Sequence, residues 1–284
     1  MNHRQRFLAT MHYEPRDRAP LYDFNFWDET IPVWHAQGLP QHYNRKNIRE
    51  FLGLDSSLGG GEPADWGTGV ASDLVPGFEH RIVEDFGDEY IEMQWDGVLV
   101  KKQRSSVSIP MHVGHTLVDR ESWREHYLPR LDPSNPKRFP ADWDRRVKVW
   151  CDPDREHPIF VNGGSLFGKL RDWMGIENLS MVVYDDPAWF EEMVHTLADL
   201  SIANLERVFA TGGVFDGCSM WEDMAYNAGP LLSPAHFKQY LVPHYRRISD
   251  LCRRNGVDVI WVDCDGCIDL LIPLWLEAGI NCMF

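Results

Sequence analysis

The stretch VDVIWVDCDG, residues 257–266, changes character at Asp263. From Val257 to Val262 only Asp258 interrupts an apolar run, the pattern of a parallel strand buried on both faces. Two aspartates and a cysteine follow before Gly266 breaks the chain direction. A strand that is greasy along its length and acidic at its carboxyl end is how α/β enzymes place a site.

The same alternation extends outward. HPIFVNGG (157–164) is a strand running into glycines, and VFDGCSM (214–220) is another. Between them, residues 187–213 open on Pro187, carry apolar residues at helical spacing and stop at Gly212-Gly213. Residues 233–256 open on Ser233-Pro234 and close at Gly256, which predicts a capped helix. A short helix over 269–279 and a strand from Ile280 complete the pattern. Strand and helix repeated this way force right-handed crossovers and a parallel sheet. No G-x-G-x-x-G follows any strand, so the expected architecture is a (β/α)8 TIM barrel, not a dinucleotide-binding sheet.

The first third is less regular. It predicts a helix near 2–12, a first barrel strand at 19–26, and helical pieces near 28–37 and 44–52. A glycine-rich loop at 58–69 and a hairpin over 89–103 turning at Asp96-Gly97 follow. The whole, residues 1–284, reads as one barrel domain, with insertions over about 1–105 and regular βα units over about 157–284.

Composition narrows the function. With 28 Lys and Arg against 43 Asp and Glu, the formal charge is −15, which repels nucleic acid and anionic membranes. No apolar run is long enough to span a membrane, and the N-terminus lacks the apolar segment of a signal peptide. Six scattered cysteines suit free thiols in the cytoplasm. A small-molecule substrate is the expected partner.

Three polar clusters fall at strand ends: Asn162 to Ser165, Trp221 to Tyr226, and Asp263 to Gly266. Glu222, Asp263 and Asp265 are the candidate catalytic carboxylates, as metal ligands or as an acid/base set. Asn162, Ser165, Trp221, Tyr226 and Trp27 are candidates to orient substrate. Ser165 has a plainer use as a helix cap. Cys264 and Cys267 have C-x-x-C spacing, but no second pair completes a zinc site, so the spacing is read as coincidental. His112 and His115 are expected to pack or sit at the surface.

Several stretches resemble the uroporphyrinogen decarboxylase superfamily: RQRFLATMHYEPRDRAPLYDF (4–24), GSLFGKLRDWMGIENLSMVVYDDPAWFEEM (164–193), GPLLSPAHFKQYLVPHYRRI (229–248) and VDVIWVDCDGCIDLLIPLWLEAGIN (257–281). The resemblance implies a (β/α)8 barrel with its cleft at the carboxyl ends. It also implies a chain ending before the last barrel strand, since family members continue through one more helix–strand–helix segment. True decarboxylases bind their acidic tetrapyrrole through arginines in the first strand. Here DFNFWDETIPVW (23–34) has none and offers Asp23, Asp28 and Glu29 instead. The other branch, zinc-dependent methyltransferases that exchange methyl groups between corrinoid proteins and thiols, carries H-x-C where this chain has Asp263-Cys264-Asp265. The resemblance therefore implies a methyltransferase-like enzyme with an altered site, a divalent metal (zinc in the family), a corrinoid-protein partner and a homodimer. Uroporphyrinogen decarboxylation and a non-catalytic binding barrel are the alternatives.

Overall fold

A computed structural model describes residues 1–22, 26–27, 29–55, 67–105 and 108–283. Asp23, Asp28 and most of the glycine-rich loop therefore lie outside the described residues. The chain opens with α1 (His3–Met11), started by a reciprocal cap between Asn2 and Gln5. Two short helices follow, α2 (Thr30–Ala36) and α3 (Ile48–Leu52). The first barrel strand expected at 19–26 is absent from its described part: Ala19–Tyr22 and Phe26 are not in a strand. Charge anchors this segment instead, because Arg18 and the Leu21 N–H both bond the Asp55 carboxylate.

The expected hairpin is the centre of a larger antiparallel meander, β1 (Arg81–Asp85), β2 (Glu89–Met93), β3 (Val98–Gln103) and β4 (Met111–His115), in that spatial order. Its turn is closed by the Val98 N–H donating to Asp96 Oδ1 at 3.1 Å. A short helix α4 (Arg120–Ser122) runs into π and 3-10 turns, and α5 (Trp143–Trp150) leads into the second half.

That half follows the predicted alternation closely. β5 (Phe160–Gly164) leads to α6 (Gly168–Met174), α7 (Ile176–Asp185) and the long α8 (Pro187–Phe209). β6 (Gly217–Trp221) is followed by a small ribbon, β7 (Ala225–Tyr226) with β8 (Gly229–Pro230). Then come α9 (Pro234–His236), a π turn, and α10 (Val242–Arg254). β9 (Ile260–Asp263), α11 (Ile272–Glu277) and β10 (Cys282–Met283) end the described chain.

β5, β6, β9 and β10 form a parallel sheet in which spatial neighbours follow chain order, and Gly67 adds a parallel bridge beyond β5. Among the described residues this is a mixed α/β fold with four parallel strands, not eight. Consecutive order with right-handed crossovers winds the helices onto one face and leaves no switch point within the sheet. On that face Val161, Cys218, Met220, Ile260 and Val262 join the main core with α8 and α10. On the other, Phe160, Val259 and Trp261 pack against Phe7 of α1. Phe160 stacks on Trp261 at 4.6 Å between ring centroids. Gly217 is required beneath this stack, since a Cβ there would meet the Phe160 ring at 2.3 Å. The α1 side of the sheet is thus plugged low down, and its carboxyl end is left for polar groups.

Candidate active site at the carboxyl ends of the parallel strands

The register of β6 and β9 pairs Trp221 with Asp263, so both side chains leave the same face of the sheet. The Glu222 N–H extends the ladder, donating to the Asp263 carbonyl at 2.9 Å. The chain then turns through Asp223, which holds the left-handed φ of 38°. This brings the Asp223 carboxylate over the neighbouring strand end, where Oδ1 accepts from the Asp265 N–H at 3.1 Å. One oxygen from each of Asp223, Asp263 and Asp265 lies within 4.8 Å of the others.

Three carboxylates this close resist ionising together. Burial pushes the Asp263 carboxyl up to about 6, and the charges of Asp223 and Asp265 add to the effect. Among the described residues no hydrogen bond to the Asp263 carboxylate offsets it. Arg171 borders the cluster: its guanidinium donates to the Asp223 carbonyl, lies 3.9 Å from Asp223 Oδ2, pairs with Asp172 at 3.0 Å and covers the Trp221 ring at 5.3 Å. Lys169, paired with Asp73, sits between the Trp95 and Trp221 rings at 5.5 and 5.9 Å.

The cluster contains two of the three expected carboxylates. Glu222 is not the third: it is fully buried and turned away from Asp263. Its Oε1 accepts from the Leu166 N–H, and its Oε2 from the Phe167 and Gly168 N–H groups and the Ser165 hydroxyl, at 2.7 to 3.2 Å. A carboxylate fully buried among these donors does not present itself to a metal or substrate at the mouth. Strand alternation explains the exchange: Trp221 faces inward, Glu222 outward, and Asp223 inward again. That signal was in the sequence, in the adjacent pair Glu222-Asp223. Asp223 lies within the expected Trp221-to-Tyr226 cluster but is not among the residues singled out from it, and Arg171, Lys169 and Trp95 are the residues that sequence reading missed.

Ser165 is likewise a cap and not a substrate contact, being buried and accepting from the Lys169 N–H at 3.1 Å. Asn162 is exposed, shares a row with Ser219 and Trp261, and donates to Ser72 Oγ at 3.0 Å. Trp221 borders the cluster as expected. Tyr226 is exposed and lines an adjoining cleft of about 580 Å³ together with Arg171, His112 and His115. The two histidines are therefore cleft residues, with burial and then His112 holding His115 below its ordinary value. Trp27 is exposed just before α2, and among the described residues no contact joins it to the carboxylates.

Cys264 faces the helix side, where its Sγ accepts from the Met224 N–H at 3.2 Å, while Cys267 is exposed. Both are free thiols, in keeping with a coincidental C-x-x-C. Among the described residues the donor set of the cluster is thus all oxygen, without imidazole or thiolate. It suits a hard dication bound through carboxylates and does not fit the nitrogen- and sulfur-bound zinc of thiol methyl transfer.

No protein-family profile and no curated protein matches the chain. Among solved structures, a methyltransferase from Methanosarcina mazei is similar, with a TM-score of 0.57 and 14% identity over 100% of this chain and 75% of that one. At that identity the likeness is one of fold. Among the described residues, no helix is long and apolar enough to cross a membrane.

Proposed function

We propose that this chain is a small-molecule enzyme of the methyltransferase-like βα-barrel type whose centre is the Asp223–Asp263–Asp265 cluster, and that the cluster holds a hard divalent cation. The observation that carries the reading is the convergence of three carboxylate oxygens within 4.8 Å at the ends of two adjacent parallel strands. Asp263 and Asp265 keep the roles expected of them, and Asp223 replaces Glu222. Bound there, a cation would polarise an oxygen of the substrate. Trp221 would supply a flat wall for that substrate, and Arg171 would hold the Asp223 backbone. A methyl group is the cargo that the fold likeness favours, and a corrinoid protein is the donor that the superfamily resemblance suggests.

Titrating the full chain with Mn²⁺, Mg²⁺ and Zn²⁺ by calorimetry tests the reading. Mn²⁺ is expected to bind at one site, and Asp223→Asn and Asp265→Asn are each expected to weaken it by about tenfold or more, since each removes a charged ligand. Binding unaffected by both substitutions, or no binding of any of these ions, overturns the cation centre. A second reading, acid–base catalysis by Asp263 without a metal, is favoured by its rise to about 6, near where a general acid or base works best. It predicts activity with an inflection near pH 6 that survives chelation.

A further inference from the structure

Glu222 is a buried ionisable group that the proposed chemistry does not use. We propose that it is the positioning residue of the carboxylate cluster, clamping α6 to the end of β6 so that the next residue, Asp223, is delivered into the mouth; this rests on reading the cluster as the site.

The clamp is a closed loop of contacts. Glu222 directly follows β6 and accepts from the N–H groups of Leu166, Phe167 and Gly168 through both carboxylate oxygens. Arg171, one turn further along α6, returns to β6 and donates to the Asp223 carbonyl. Two consecutive residues are thus gripped by one short helix, Glu222 through its side chain and Asp223 through its backbone. A non-glycine residue at a φ of 38° is held there at a conformational cost. A change of φ at Asp223 moves its carboxylate relative to Asp263 and Asp265.

The surroundings fit a group kept for geometry. Glu222 and Tyr245 are both fully buried, and the Tyr245 hydroxyl is raised well above its ordinary value, by burial first and then by Glu222. Burial also pushes the Glu222 carboxyl up, against the pull of its backbone donors. The backbone donors that bond Glu222 belong to the turn after β5 and to the first residue of α6, so its removal loosens that junction first. Across the mouth the Asp265 N–H donates to Asp223 Oδ1 at 3.1 Å, so that amide reports where the Asp223 carboxylate stands.

That amide supplies the test. The full chain and Glu222→Gln are compared by NMR of the Asp265 amide, whose N–H donates to Asp223 Oδ1, and by Mn²⁺ titration. A glutamine keeps one acceptor and points an NH₂ at donors, so the clamp opens. The Asp265 amide proton is expected to lose its hydrogen-bonded shift in Glu222→Gln as Asp223 moves, and Mn²⁺ affinity is expected to fall about tenfold. Ile48→Val, which trims a buried side chain of α3 in a separate core cluster, serves as the control for lost stability and is expected to change neither. Should Glu222→Gln fail to fold, Ser165→Ala removes a single bond of the clamp and is expected to shift both in the same direction by less. An Asp265 amide unchanged in the folded clamp variant, or moved equally by Ile48→Val, overturns the proposal. If the unaltered chain binds no Mn²⁺, the cation reading fails, and the Asp265 amide still decides the role of Glu222.

Discussion

Asp263→Asn should make the protein more stable, and only above a definite pH. The carboxyl is raised from an ordinary 3.8 to about 6, by burial and by two neighbouring carboxylates. The folded state therefore binds a proton more tightly than the unfolded state. Below about pH 4 both states are protonated and the group contributes nothing. Between about 4 and 6 the unfolded state releases its proton first, so stability is lost as pH rises, and above 6 the loss is complete. A rise of that size corresponds to about 3 kcal/mol, and solvent access at the mouth lowers it to roughly 1–2 kcal/mol. Asparagine matches the shape and carries no charge, so at pH 8 the variant should gain that amount, seen as about 2–5 °C in Tm. At pH 4 the two proteins should melt together. Thermal scans followed by circular dichroism at both pH values decide it. Equal melting at pH 8, or the same gain at both pH values, would show that Asp263 is not held under electrostatic stress and would refute the argument. Saturating Mn²⁺ should reverse the order at pH 8, because a ligand of the folded state stabilises only the chain that binds it, by about 2.7 kcal/mol at a hundred times Kd.

Two further outcomes follow from the turns around the mouth. Gly266 holds a φ of +92°, and a Cβ there would lie 2.5 Å from the Ala225 carbonyl oxygen, so Gly266→Ala should lose about 1–3 kcal/mol in urea unfolding without a change in slope; a neutral result would mean that the loop is free to move aside. For the thiols, exposed Cys151 and Cys267 should react quickly with an aromatic disulfide reagent, while buried Cys218, Cys252 and Cys264, the last raised to about 11 by burial, should wait for unfolding. Cys267→Ser should leave Mn²⁺ affinity unchanged, and a large loss would restore the C-x-x-C pair as a metal site.

How much of this was legible in the sequence depends on how local each signal was. The long helix α8 was announced by Pro187 and by side chains at helical spacing, and only its end was misplaced: it stops at Phe209, before the glycine pair. β9 was visible because a strand buried on both faces has an unmistakable apolar run. The Asp96-Gly97 turn carried its hairpin for the same reason, a geometry encoded in two residues. The flanking strands were hidden: β1, RIVED, is exposed along its whole length and so lacks the alternation that reveals a strand. In the described part of the expected strand at 19–26, strand composition was overruled differently. Leu21 and its neighbours before Asp23 are fixed by Asp55, which also pairs with Arg18 and Arg6, over a sequence separation that no local pattern records.

The site divides along the same line. That Asp263 and Asp265 share a face, with Cys264 opposite, follows from a period of two and was legible. The choice between Glu222 and Asp223 obeys the same period, but applying it requires knowing that Trp221 is the last inward residue, and that comes from its register with Asp263. Arg171 and Lys169 could not be found from sequence, because only the docking of α6 sets them beside Trp221. The energetics then bear on what the cluster is for. A group that contributed only to folding would be hydrogen-bonded or paired, as Glu222 and Asp55 are. Among the described residues Asp263 is neither; it is held close to two like charges, at a cost of about 1–2 kcal/mol above pH 6. A cation or a transferred proton would remove that cost, which is what the proposed centre predicts of its own carboxylates.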